Sequence, residues 1–84
     1  MPTIIFLNGW RLFFYANEKG EPMHIHGKRG NSECKYWIDE ENFELFEAFS
    51  YNMTPNDKRQ VKKIIFMNFD YIVLEWKKYK ESLR

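Results

Sequence analysis

Between positions 23 and 38 apolar and polar residues alternate with a period of two, and between positions 61 and 83 apolar residues recur every three to four. The first pattern predicts strands and the second a helix. Residues 4–7 and 10–15 are β-branched and aromatic runs separated by Asn8-Gly9. That dipeptide predicts a hairpin, because both central residues of a type I′ turn need positive φ. Pairing through it sets Leu7 opposite Trp10 and Ile5 opposite Leu12. Residues 17–22 read as a loop from their Gly, Pro and charge content. Residues 23–28 and 33–38 then predict a second hairpin around Arg29-Gly30-Asn31-Ser32. Its register pairs His24 with Trp37, His26 with Lys35 and Lys28 with Glu33. One face of that hairpin is apolar (Met23, Ile25, Cys34, Tyr36, Ile38), and the other, with both histidines, is expected in solvent.

Asp39-Glu40-Glu41-Asn42 reads as a turn and residues 43–51 as a further short strand. Thr54-Pro55 then opens a helix: Thr54 as N-cap, Pro55 at the first helical position, and Asp57 where its charge meets the helix dipole. Val61, Ile64, Ile65, Asn68, Ile72, Trp76, Tyr79 and Leu83 form the expected buried stripe. A helix from Pro55 to about Glu81 would be about 40 Å long, against strands of roughly 20 Å. Either it breaks near Asn68-Phe69-Asp70 or its last turns project from the sheet. Phe66, Met67, Val73 and Leu74 lie off the stripe and suggest a second contact surface. The expected fold is an α+β single domain over residues 1–84. A mostly antiparallel sheet of four to five strands, from two consecutive hairpins, packs on one long C-terminal helix.

Eight Phe, five Tyr and three Trp in 84 residues exceed what one small core can hold, so some rings must lie at the surface or in an interface. The formal charge of +1 means that any nucleic-acid contact needs a local basic patch. The single cysteine, Cys34, excludes an intrachain disulfide and offers no zinc-type spacing, and reads as a small buried residue. No window approaches 18 uncharged apolar residues, and no secretory leader pattern opens the chain. The expected location is cytoplasmic, with no membrane association.

The chemistry concentrates in Glu21-Pro22-Met23-His24-Ile25-His26, which puts both histidines on one strand face. A metal would need a third ligand from Glu18, Glu21 or Glu33, and Lys35 opposite His26 opposes it, so no metal and no cofactor is expected. Acid–base work on a phosphodiester would use His24 and His26 with Lys35 or Arg11 on the developing charge, but no accompanying Ser or Thr motif completes it. A base-stacking platform would use Trp37, His24, His26, Lys28 and Lys35, extended by Arg11, Phe13 and Tyr15, with Lys58, Arg59, Lys62 and Lys63 as a basic cluster at the helix start. Protein association ranks first, because surplus aromatics, the overlong helix and the off-stripe apolar residues all fit it. The candidate binding residues are His24, His26, Lys35, Trp37 and Arg11. Alanine at His24, His26 or Trp37 is expected to weaken function and leave the fold intact.

Gly9-Trp10-Arg11-Leu12-Phe13-Phe14-Tyr15, the Pro22-Met23-His24-Ile25-His26 element, Lys35-Tyr36-Trp37-Ile38 and the late Trp76 together resemble a family of small bacterial proteins described as domain of unknown function 4160. The chain departs from the family pattern at Met23, where a second proline is usual, and at Gly27, where a β-branched residue is usual. The glycine suggests a bulge after His26. The resemblance implies a stand-alone domain whose gene sits beside another small gene, a layout similar to toxin–antitoxin pairs. The expectation is therefore a small interaction protein, one component of such a pair, binding a protein partner or a second copy of itself, with the question of catalysis left open and the balance against it. The alternative is a nucleic-acid-binding or ribonuclease-like protein using the His-x-His/Lys/Trp face.

Overall fold

Asn8 and Gly9 adopt φ of 53° and 81°, as a type I′ turn requires, and the turn joins β1 (Thr3–Leu7) to β2 (Trp10–Phe13). The structure, a computed structural model, describes residues 3–15 and 20–82. The expected loop residues Asn17, Glu18 and Lys19, and Leu83 of the expected stripe, lie outside the described residues. β3 (His24–Arg29), β4 (Ser32–Asp39) and β5 (Glu44–Tyr51) follow, and the strands form one antiparallel sheet in the order β1-β2-β3-β4-β5. Both predicted registers hold: Leu7 faces Trp10, Ile5 faces Leu12, His24 faces Trp37, His26 faces Lys35 and Lys28 faces Glu33. The second loop is tighter than expected. Arg29 and Ser32 themselves pair, which leaves Gly30 and Asn31 as the turn. Between β4 and β5 the register slips by one residue, so Ala48 is left over opposite the Lys35–Tyr36 step.

Two helices, not one long one, cover a single face of the sheet. α1 (Pro55–Met67) begins with a capping box: Thr54 Oγ1 accepts from the Asp57 amide, and Asp57 Oδ2 accepts from the Thr54 amide, each at 3.1 Å. These bonds and Arg29 hold the Asp57 carboxyl below its ordinary range. α2 (Phe69–Ser82) starts after a break at Asn68, whose φ of −123° leaves the helical region. Asn68 Nδ2 donates to the Ile64 carbonyl at 2.9 Å, so the residue caps the end of α1 instead of joining the buried stripe. The break resets the helical phase, and Phe69 and Val73 become buried beside Ile72 and Trp76.

The core lies between sheet and helices and contains Trp10, Leu12, Phe14, Ile25, Cys34, Tyr36, Val61, Ile65, Ile72 and Trp76. Gly27 stands in an unbroken stretch of β3, paired with Leu12 and Cys34 and without the expected bulge. The reason for glycine is space. A Cβ there would meet Cys34 Sγ and Leu12 Cδ2 at 3.1 Å each, with Val61 Cγ1 of α1 at 3.7 Å. At the far end of β3, Arg29 ties sheet to helix. Its guanidinium lies 4.4 Å from the Trp10 ring and donates to Asp57 Oδ1 at 2.6 Å and to Gln60 Oε1 at 3.2 Å, while Trp10 Nε1 also donates to Gln60 Oε1. Assigning Arg29 to a loop conceals this role.

Candidate interaction surfaces

Cross-strand pairing orders the side chains of the open sheet face, the one turned away from the helices, into three rows. The first is Phe6, Arg11, Lys28, Glu33 and Tyr51. The second is Phe13, His26, Lys35 and Phe49, and the third is His24, Trp37 and Phe46. The extra residue Ala48 is what lets Phe46 and Phe49, three apart, share this face.

The middle of this face is not solvated as expected. His24, His26 and Lys35 are buried, at 0%, 3% and 8% exposure, and Trp37 is half-buried. His26 stacks on Phe13 with centroids 5.6 Å apart and meets the edge of Tyr15 at 4.4 Å. His24 donates from Nδ1 to the Pro22 carbonyl at 2.8 Å and packs edge-on against His26, Trp37 and Trp76. Trp76 can reach it because the β2–β3 ladder ends at Phe13 and His26, so β2 does not run beside His24. Lys35 Nζ pairs with Glu21 Oε1 at 2.7 Å and lies 4.3 Å from the Trp37 ring. A buried ammonium needs such partners, and here the preceding segment supplies the carboxylate.

The structure thus brings four of the five candidate residues, His24, His26, Lys35 and Trp37, into one small second core. Arg11 sits apart. It is exposed, its guanidinium lies 5.3 Å from the Phe13 ring, and its cross-strand neighbour is Lys28. With the histidines enclosed, Ala substitutions there remove packing, which corrects the expectation that the fold would be indifferent to them. Of the candidate third metal ligands, Glu21 is engaged by Lys35, and among the described residues no group of three His, Cys, Asp or Glu side chains converges.

The exposed part of the open face was missed by the sequence reading. It is carried by Phe6 (71% exposed) and by Phe46, Phe49 and Tyr51 on β5. The signal for β5 was obscured because Ala48 breaks the period of two. A second apolar surface lies at the helix break. Phe43, at φ 55°, leaves the β4–β5 turn and packs on Phe66 and Phe69, with centroids 5.1 and 4.5 Å apart. With Met67 and Tyr71 these residues line a cleft, and Leu74 continues it one turn along α2. Of the four off-stripe residues, Val73 is buried and Phe66 half-buried, while Met67 and Leu74 are mostly exposed. Arg59, Lys62 and Lys63 stand exposed on α1, Lys62 and Lys63 one turn before Phe66 and Met67 of this surface. Cys34 is fully buried, its Sγ donates to the Gly27 carbonyl, and burial pushes its thiol up to about 12.

Among the described residues no helix is long and apolar enough to cross a membrane. The family model described as Domain of unknown function (DUF4160) matches residues 9–77. No curated protein and no solved structure matches the chain.

Proposed function

We propose, from the premise that this chain belongs to the family described as Domain of unknown function (DUF4160), that it is a protein-binding component of a two-gene pair of the toxin–antitoxin kind, working in the cytoplasm. The observation that carries this reading is the apolar cleft at the helix break. Phe43, Met67 and Tyr71 line it around Asn68, Leu74 follows one turn beyond Tyr71, and all four are 47% or more exposed. A chain this small gains nothing in stability from exposing four large apolar side chains together, and such clusters are typical of interface cores. Lys62 and Lys63, one helical turn before Phe66 and Met67, stand on one side of the cleft without a carboxylate partner among the described residues, and the exposed Asp70 lies in its lining. The fitting partner is a protein that presents an apolar ridge, with an acid facing Lys62 and Lys63 and a base facing Asp70.

Binding is favoured over catalysis by the state of the groups that acid–base chemistry would need. The two imidazoles are enclosed by rings, and the nearby ammonium is held in an ion pair. The test is co-expression with the product of the adjacent gene and affinity capture of one by the other. Met67→Ser with Leu74→Ser should abolish copurification and leave the circular dichroism spectrum and melting temperature at parental values. Copurification at parental level in that double variant would refute the reading.

A further inference from the structure

The first row of the open sheet face has chemistry that the protein-binding cleft does not use. Arg11 and Lys28 stand directly opposite each other on β2 and β3, both exposed, and neither has an ion-pair partner among the described residues. Like charges facing across a ladder are destabilising, and although Lys28 faces Glu33 on its other side, Arg11 has no acid opposite it, so the fold gives no reason for Arg11 to stand beside Lys28. Exposed rings bracket it in the same row, Phe6 at 71% on β1 and Tyr51 at 69% on β5, with Phe49 at 41% one row away. A groove lined by Lys28, Gly30, Asn31, Glu33, Tyr51 and Asn52 continues the row past the β3–β4 turn.

We propose that this row binds a short single-stranded nucleic acid, with Arg11 and Lys28 on its phosphates and Phe6, Tyr51 and Phe49 stacking on its bases. Unneutralised cations between flat exposed rings match a polyanion that carries aromatic bases. They fit the centre of a protein interface poorly, because charged residues, lysine above all, are depleted there. From β1 to β5 the row crosses four strand spacings of about 4.8 Å, roughly 19 Å in all, which suits the smallest single-strand sites of about four nucleotides. Glu33, the row's one acid, lies between Lys28 and Tyr51. Its carboxylate accepts from exocyclic amines and so favours cytosine and adenine over uracil or thymine.

The test is fluorescence anisotropy with a labelled twelve-nucleotide strand of mixed A and C, as RNA and as DNA, titrated with the intact protein between 50 and 200 mM salt. Binding of either strand is expected, with log K falling against log salt at a slope of about −1.4 for two phosphates. Arg11→Gln or Lys28→Gln should each reduce the slope to about −0.7. Phe6→Ala and Tyr51→Ala should weaken binding on the order of 5- to 100-fold. Met67→Ser with Leu74→Ser should leave it unchanged, which separates this site from the protein-binding cleft. All variants should give parental circular dichroism, since every substituted side chain is exposed. Absence of binding to both strands at 50 mM salt overturns the proposal, as does binding that Arg11→Gln, Lys28→Gln and Tyr51→Ala leave untouched. Loss of partner-protein capture in Arg11→Gln and Lys28→Gln without any strand binding would assign the row to a protein contact and equally overturn it.

Discussion

Substituting Gly27 by valine tests how closely α1 lies on the sheet. The new Cβ would stand 3.1 Å from both Cys34 Sγ and Leu12 Cδ2, inside the 3.5–4.0 Å of an unstrained carbon contact. Its γ-carbons would project further, with Val61 Cγ1 already 3.7 Å from the Cβ. Leu12, Cys34 and Val61 are all fully buried, so no neighbour can swing into solvent. Overpacking of this sort costs about 1–3 kcal/mol, and removing a strand glycine returns about 0.5–1 kcal/mol. The net loss of roughly 0–2.5 kcal/mol should lower the melting temperature by up to about 20 °C in a domain of this size. Gly27→Ala, with no γ-carbons, should come out near neutral. Val61→Ala alone should cost about 1–3 kcal/mol through the space it leaves. Combined with Gly27→Val, it makes room for the valine, and the pair should be less destabilised than the sum by about 1 kcal/mol or more. Urea denaturation followed by tryptophan fluorescence gives all four stabilities, with an unchanged m-value as the check that only stability moved. Additivity within about 0.3 kcal/mol, or a Gly27→Val protein that melts above the parent, would refute this account of the glycine.

His26→Ala should cost about 2 kcal/mol or more, because its ring fills the space between Phe13, Tyr15 and Phe49; a parental melting curve would contradict that enclosure. Cys34 should ignore a thiol reagent until the protein unfolds. An unfolded thiol ionises near about 8.5, whereas the folded one keeps its proton to about 12. Stability from this group is therefore complete below about pH 8.5 and is lost as pH rises towards 12, and Cys34→Ala should flatten the fall of melting temperature between about pH 9 and 11. Tyr36→Phe should raise stability by about 1 kcal/mol, since the hydroxyl is buried with no hydrogen-bond partner among the described residues, and a loss of stability on denaturant titration would oppose this. Lys28→Gln removes both its repulsion from Arg11 and its attraction to Glu33, each about 0.2–1 kcal/mol, so the melting temperature should stay within about 6 °C of the parental value, and a larger fall would show that Glu33 outweighs Arg11.

Register was legible in the sequence because it is fixed locally. Asn8-Gly9 dictates one turn, and the alternation from Met23 to Ile38 leaves one pairing that keeps Ile25, Tyr36 and Ile38 on a common face. Exposure of the other face was not legible. Two imidazoles, an amine and a tryptophan read as polar, yet Phe13, Tyr15 and Glu21 come from other parts of the chain to enclose them, and no local pattern announces that. The helix break could be located but not decided by length alone. What decides it is Asn68, whose side chain competes for the Ile64 carbonyl, together with the gain from burying Phe69 and Val73. Arg29 escaped notice because it sits next to the turn glycine, and its partners Trp10, Asp57 and Gln60 are at least nineteen positions away in the chain.

The leftover residue Ala48 has a consequence for how other chains can meet this one. β5 is the last strand of the sheet, and its outer row of amides and carbonyls offers a template on which a foreign strand could be laid down. An eight-residue template with three aromatic side chains would invite end-to-end sheet growth and fibre formation. Ala48 divides it into segments 44–47 and 49–51, each too short to hold an added strand in register, and the kink turns one segment out of line with the other. The single insertion that aims Phe49 outward therefore also defends the β5 border of the sheet, so that a partner arriving at this side meets faces and clefts, not a template for a further strand.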